Sequence, residues 1–258
     1  MFQKILIANR GEVACRIIKT AKKMNIKTVS VFSDSDRHAN HVLMADESFY
    51  IGKSDVRESY LNQEIILKAC KETNVEAVHP GYGFLSENAE FANLLEKNNV
   101  IFIGPPKEAI SDMGDKIKSK KIASLAGVNI IPGFIGEVND LEHATKIAEQ
   151  IGFPIMIKAS AGGGGKGMRI VKNINELEDG YVRASSEAKN SFGDARVFFE
   201  KFLVNPRHIE IQILADSFGN ILSLGERECS IQRRNQKIIE EAPSSFVNEI
   251  LRKKMSNQ

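Results

Sequence analysis

Long hydrophobic runs are missing from this sequence. Its apolar stretches last a few residues each, against the ~20 needed to span a bilayer, so no membrane-crossing helix is expected. A charge surplus is missing as well. The net charge of +2 gives no general attraction to nucleic acid or to a membrane surface. Cysteine is scarce: Cys15, Cys70 and Cys229 lie far apart, odd in number and without a CxxC pair. A disulfide framework or a cysteine-ligated zinc is therefore disfavoured, and buried reduced thiols are the expectation. No secretory signal is visible, since Met1 is followed almost at once by the strand-like Lys4-Ile-Leu-Ile-Ala-Asn9. These absences predict a cytoplasmic protein, or one of the mitochondrial matrix if its source is eukaryotic. A Gly-x-Gly-x-x-Gly turn is absent after that first strand. Asn9-Arg10-Gly11-Glu12 stands there instead, which disfavours dinucleotide binding at that turn.

What is present is 258 residues, 42% hydrophobic and 26% charged, with room for one large domain or two to three small ones. Up to about residue 105, strand-like runs alternate with helical stripes. Residues 5–8, 27–33, 48–52, 77–78 and 101–104 read as strands. Between them, Ala14, Ile17, Ile18 and Ala21 share one helical face. Asn62 can cap a helix carrying Ile65, Ile66 and Cys70, and Phe91, Leu94 and Leu95 mark another. Strands separated by helices imply a parallel sheet covered on both faces, here a Rossmann-like α/β domain over residues 1–112.

After the Gly104-Pro105-Pro106 break, Asp115 can cap a helix that ends at Gly127. Asn139, with Glu142 three residues on, signals another helix start, and Gly152 with Pro154 its end. Residues 154–158, 168–172 and 197–203 read as strands, and Asn175 with Glu178 as a further cap. This α+β unit, expected over 130–203, has the size of a mobile lid. From residue 204 the pattern is antiparallel: 208–213 alternates, 216–220 forms a hairpin loop, 221–224 pairs back and 237–241 follows. Residues 247–258 read as the opening of a helix, so this last part, 204–258, is expected to be cut short. His38, His41 and His143 are expected at the surface.

One stretch is unusual. Lys158-Ala-Ser-Ala-Gly-Gly-Gly-Gly-Lys-Gly-Met168 places five glycines within six residues, between two strands. It is not a Walker A loop, because Met168 follows Gly167 where Lys-Ser/Thr is needed. The reading that remains is a hairpin flap, whose bare backbone N–H groups can curl around phosphate oxygens. An incidental flexible hairpin is the alternative, but such a hairpin needs one or two glycines. Lys158, on the strand entering the flap, can add a point charge for phosphate. A protein kinase, which also uses a glycine-rich hairpin, is disfavoured because Asp-Phe-Gly and His-Arg-Asp are absent. In 208–213, period two puts Ile209, Ile211 and Ile213 on one face and His208, Glu210 and Gln212 on the other. The apolar face needs a core. With the charge-dense run 226–237 close downstream, the polar face suits either a polyphosphate or bicarbonate site or plain solvent.

These residues resemble the ATP-grasp biotin carboxylase family. The resemblance rests on Ile7-Ala-Asn-Arg-Gly-Glu12, His79-Pro-Gly-Tyr-Gly-Phe-Leu-Ser-Glu-Asn88 and Met113-Gly-Asp-Lys116, on the glycine stretch, and on Asn205-Pro-Arg-His-Ile-Glu210 and Glu228-Cys-Ser-Ile-Gln-Arg-Arg-Asn-Gln-Lys237. It covers essentially the whole chain in family order. Asn235, Ala161, Pro132-Gly-Phe134 and Ser191-Phe-Gly-Asp194 lean toward the propionyl type of acyl-CoA carboxylase. The resemblance implies an ATP-grasp module over 113–258. It implies the reaction in which ATP and bicarbonate give carboxyphosphate, followed by carboxylation of biotin.

Carried onto this sequence, the resemblance has Lys116 and Lys158 contact the ATP phosphates, with Gly164 and Gly165 covering them. Glu200, Lys201, Phe202 and Leu203 would read adenine through main-chain groups, and His208 would reach the nucleotide. Gln232 and Asn235 would sit near the phosphates. Lys237 would lie beside bicarbonate as the catalytic residue, with Tyr82 and Gly83 near biotin. The implied cofactors are ATP, Mg²⁺ or Mn²⁺, and biotin on a carrier domain. The implied partners are bicarbonate, that biotinyl carrier domain, a carboxyltransferase β subunit, and further copies in a homodimer or larger hetero-oligomer; nucleic acid and membrane are not among them. The family's metal-binding carboxylates lie further along, so no metal ligand is expected in this chain, which is expected to be inactive alone. The alternatives are the biotin carboxylase of an acetyl-CoA, methylcrotonyl-CoA or pyruvate carboxylase, another ATP-grasp ligase, or a non-catalytic nucleotide-binding fragment.

Overall fold

Ile5, Leu6 and Ile7 are apolar on both sides of one short strand, and only a sheet covered on both faces can bury such a run. In the computed structural model, which describes residues 1–161, 167–233 and 236–258, that strand is central. The first of two units, Met1–Gly114, is built from β1 (Lys4–Ile7), α1 (Gly11–Lys23), β2 (Lys27–Ser33), α2 (Asn40–Met44), β3 (Glu47–Gly52), α3 (Gln63–Thr73), β4 (Ala77–His79), α4 (Ala89–Lys97), β5 (Ile101–Phe102) and α5 (Lys107–Gly114). The sheet is parallel in the order β3-β2-β1-β4-β5. Leu6, Val29, Val31, Val78 and Phe91 pack in one cluster, while Ile7, Ala14 and Ile18 form another. The Asn62 cap follows the sequence, its side chain accepting from the Ile65 N–H; α4 is capped in the same way by Asn88, whose side chain accepts from the Phe91 N–H.

The second unit, Asp115–Gln258, holds α6 (Lys116–Leu125), α7 (Leu141–Ile151), β6 (Ile155–Ala159), β7 (Met168–Val171), α8 (Leu177–Phe192), β8 (Val197–Lys201), β9 (Ile209–Ala215), β10 (Ile221–Arg233), β11 (Gln236–Glu241) and α9 (Glu249–Ser256). Its strands form two antiparallel sheets, β7-β6-β8 and β11-β10-β9. Along β6 the side chains of Ile155, Ile157 and Ala159 are buried, and the first two join a core with Ala144, Ile147, Ala184 and Phe199. The same alternation turns Met156 and Lys158 to the opposite face.

Several expectations need correction. The cap of α7 is Asp140, which accepts from the His143 N–H at 2.8 Å, not Asn139. Asn175 lies inside a 3₁₀ turn that Asn173 caps, and α8 begins after it. His41 is buried, not at the surface: α2 sits against α1 and β2, and neither ring nitrogen has a hydrogen-bond partner among the described residues. Burial lowers its pKa from the usual histidine value. Of the three free thiols, Cys70 and Cys229 are buried but Cys15 is only partly so. The apolar stripe of β9 is also less covered than its alternation suggests, since Ile213 is exposed.

Candidate functional site

Asp115 ends one helix-breaking Gly-Asp pair and starts α6. Its side chain accepts from the N–H groups of Ile117 and Lys118, each at 3.0 Å. It also accepts from Ser160 Oγ at 2.9 Å and pairs with Arg196 at 2.9 Å. The Lys116 N–H donates to the Ser160 carbonyl at 3.0 Å. The first turn of α6 is thus docked on the end of β6. Lys116 and Lys120, four residues apart, share one helix face.

Those bonds bring basic groups around one carboxylate. Glu200, on β8, is 4% exposed. Its Oε1 accepts from Lys158 and its Oε2 from Lys120 at 2.9 Å. Burial and the neighbouring Lys158 charge both lower the pKa of Lys116. Two lysines on one buried carboxylate, with a third within reach of their charge, leave a net positive site. Such a site is suited to an anion that brings its own negative charge.

The outer edge of β8 is partly closed. The Phe134 N–H donates to the Phe199 carbonyl, and the Lys201 N–H to the Pro132 carbonyl at 2.8 Å. Gly133 makes this approach possible: a Cβ there would stand 2.5 Å from the Phe199 oxygen. The Phe202 N–H is donated to Pro154. The Lys201 side chain is also engaged, bonding the Gly152 and Phe153 carbonyls at 2.9 Å each. Of the main-chain groups expected to read a base, then, the N–H donors of Lys201 and Phe202 already have partners, and Glu200 is paired with Met156 across the sheet.

A second polar cluster lies on the β9–β11 sheet. Period two does place His208, Glu210 and the β10–β11 side chains together. Glu210 pairs with Lys237 and, at 2.5 Å, with Arg227. His208 Nδ1 meets Gln232 Nε2 at 2.7 Å, and His208 Nε2 lies 3.6 Å from Glu210. Burial alone would raise the Glu210 pKa, but the hydrogen bonds from Lys237 and Arg227 bring it below the ordinary glutamate value. The Glu210 hydrogen bond correspondingly raises Lys237.

Glu210, Cys229 and Glu240 bring ligand atoms within 4.8 Å of one another. This trio does not fit Mg²⁺. Glu210 is already neutralised by two cations, and a thiol is not the oxygen ligand a hard cation takes.

In the first unit, Asn9 is buried, and its Nδ2 donates to the carbonyls of Pro80 and Tyr82 at 2.8 Å each. That bond shapes the turn in which Gly81 and Gly83 take positive φ, +67° and +69°. The Tyr82 ring is exposed, and its hydroxyl donates to Glu12 at 2.9 Å. Gly164, Gly165 and Asn235 lie outside the described residues.

The family model described as the carbamoyl-phosphate synthase L chain ATP-binding domain matches residues 115–258, and that of the biotin carboxylase N-terminal domain matches residues 1–110. This chain belongs to the biotin carboxylase family. A propionyl-CoA carboxylase alpha chain from Ruegeria pomeroyi is 59% identical over 258 residues, all of this chain and 38% of that protein. The chain therefore spans well under half the length of this curated relative. Among solved structures, a biotin carboxylase–β-γ-ATP complex from Campylobacter jejuni aligns with a TM-score of 0.97 at 47% identity, covering 100% of this chain and 58% of that one. The biotin carboxylase domain dimer of Hydrogenobacter thermophilus 2-oxoglutarate carboxylase, in complex with MgADP, ADP and bicarbonate, gives 0.95 at 47% identity over 100% and 56%.

Sequence reasoning does not single out three residues that the structure brings into these clusters. Lys120 sits in the run Lys116–Lys121, where four lysines hide which one faces inward; the i, i+4 spacing from Lys116 was the available signal. Arg227 and Arg196 were passed over because their partners, Glu210 and Asp115, are 17 and 81 residues away.

Proposed function

We propose that this chain carries the nucleotide-binding part of a biotin carboxylase within a biotin-dependent acyl-CoA carboxylase of the propionyl type. The observation that supports it most is the Lys116–Lys158–Lys120 group around the single buried carboxylate of Glu200. The relatives' ligands support it too: the neighbours named above hold β-γ-ATP in one case and MgADP, ADP and bicarbonate in the other. On this reading ATP and bicarbonate react to carboxyphosphate and ADP. Lys116 and Lys158 offset the charge on the phosphates as it shifts toward the bridging oxygen. The stretch assigned to adenine is Glu200, Lys201, Phe202 and Leu203; with the Lys201 N–H turned to Pro132, the Lys201 carbonyl and the Leu203 N–H, just past β8, come next on that side of the chain. Glu200 and Phe202 keep that stretch in place, and His208, just before β9, and Gln232, on β10, face the nucleotide.

Lys237 is assigned to bicarbonate as a fixed cation. Its raised pKa keeps it protonated, which suits holding an anion and does not suit taking a proton. Gly164, Gly165 and Asn235 keep their assigned phosphate roles by resemblance, as do Tyr82 and Gly83 their biotin-side role. Carboxyphosphate would break down to carbon dioxide and phosphate, and biotin, on a carrier domain, would take up the carbon dioxide at a ureido nitrogen as that nitrogen loses its proton. The partners on this reading are that carrier domain, a carboxyltransferase subunit and a second copy of the chain.

Calorimetric titration of the chain with ATP and Mg²⁺ tests the assignment. ATP should bind measurably, and Lys158→Ala should weaken it by about tenfold or more, the scale of one charge-assisted hydrogen bond. Absence of binding at millimolar ATP, or full affinity in Lys158→Ala, would sink the reading.

A further inference from the structure

Nothing in the family resemblance gives Lys120 a task, yet this lysine of α6 is held by three groups. Its Nζ donates to Glu200 Oε2 at 2.9 Å and to the Ile131 carbonyl at 3.1 Å. It also stands 5.4 Å from the centroid of the Phe198 ring. Its side chain is 13% exposed, against 23% for Lys158 and 5% for Glu200. Glu200 thus holds one cation on each oxygen. The two cations differ in how they are anchored. Lys120 is fixed by a carbonyl and a ring as well as by the carboxylate, whereas among the described residues Lys158 bonds Glu200.

That asymmetry bears on how Lys158 could serve a phosphate. A lysine paired with a buried carboxylate can turn elsewhere only if that carboxylate keeps another partner, because an unpaired buried charge is heavily penalised. We propose that Lys120 is a positioning residue: it keeps Glu200 neutralised while Lys158 leaves Glu200 for a phosphate oxygen of the bound nucleotide. The idea deepens the nucleotide reading above and rests on it. Without Lys120, Lys158 is the sole counter-ion of Glu200 and is held back from the phosphate.

The test titrates the full chain with a non-hydrolysable ATP analogue by calorimetry, and with adenosine by NMR shift changes. If wild type does not bind the analogue, the nucleotide reading itself fails. If it binds, Lys120→Met should bind the analogue about tenfold more weakly while adenosine binding stays the same, since only phosphate needs Lys158 released. Lys120→Arg should recover most of the affinity. The double variant Lys120→Met/Glu200→Gln, which has no carboxylate left to hold Lys158, should return to within about threefold of wild type. Three results would each overturn the proposal: analogue affinity unchanged in Lys120→Met, equal loss for analogue and adenosine, or a double variant as weak as the single one. Should Lys120→Met not fold by circular dichroism, Lys120→Gln removes the charge while keeping a donor for the Ile131 carbonyl, and the same comparisons apply.

Discussion

Lys237 and Glu210 show what a single pair can and cannot reveal in sequence. Alternation along 208–213 is enough to put Glu210 on the polar face with His208, and the structure has them there. That Glu210 is clasped by both Lys237 and Arg227 is a tertiary fact, spread over three strands. It has a pH consequence. Because the folded-state pKa of Glu210 is depressed, its stabilisation is present above the ordinary glutamate value of about 4.3. The stabilisation is lost as pH falls through the depressed one. Glu210→Gln should therefore melt at a lower temperature than wild type near neutral pH, and the gap should close in acid. Thermal melts followed by circular dichroism from about pH 7 to about pH 3 check this; a gap that stays constant across that range would mean the ion pairs contribute nothing. His41 is the opposite lesson. Its helix, α2, is only five residues long, too short to display a 3.6-residue period, so nothing in the letters announced that its ring would be buried.

At the scale of elements, the chain order of strands and helices was readable because local rules agree with one another. Short β-branched runs, stripes and caps each pointed to the same places, as at Asn62, Asp115 and β2. Boundaries failed where two neighbouring residues could do one job. Asn139 and Asp140 both have cap chemistry, and the choice falls to whichever register turns Ala144, Ile147 and Ala148 into the core. Asp140 wins, which makes a paired prediction. Asp140→Ala should cost about 1 kcal/mol of stability, while Asn139→Ala should stay within about 0.5 kcal/mol, as surface changes do. Urea unfolding of the two variants side by side decides it; equal losses would return the cap to ambiguity. Gly133 is a related case. Pro-Gly reads as a chain break, but the segment pairs with Glu200 as a short bridge along β8. The glycine is needed for close approach, a reason that sequence alone cannot distinguish from a turn.

Across the whole molecule, the division into a parallel α/β part and antiparallel parts followed from the rhythm of the sequence, since helices between strands force crossovers and tight loops do not. Strand order β3-β2-β1-β4-β5 and the convergence of Lys120 and Lys158 on Glu200 did not follow, because they depend on packing between distant segments. The same holds for surface balance. The apolar face expected of β9 needed a core, yet Ile213 on it is exposed, and Leu214, Ile221, Leu222, Leu224 and Ile238, spread over both faces of the β9–β11 sheet, are all more than half exposed, Ile221 reaching 71%. Apolar residues this close together on one three-stranded sheet exceed the scattered exposure of an ordinary surface, and such patches drive association. The sheet also presents strand edges, which add a route to pairing between chains. The chain in isolation should therefore bind a hydrophobic dye and self-associate as concentration rises. Replacing Ile221 and Leu224 together, Ile221→Lys with Leu224→Lys, should reduce both effects while leaving the melting of the Met1–Gly114 unit unchanged, since neither residue belongs to that unit. Dye fluorescence and sedimentation velocity over a concentration series measure the two effects. A wild-type chain that stays monomeric and dye-free throughout would show that these side chains are covered in solution by a rearrangement of the sheet, and would argue against its arrangement here.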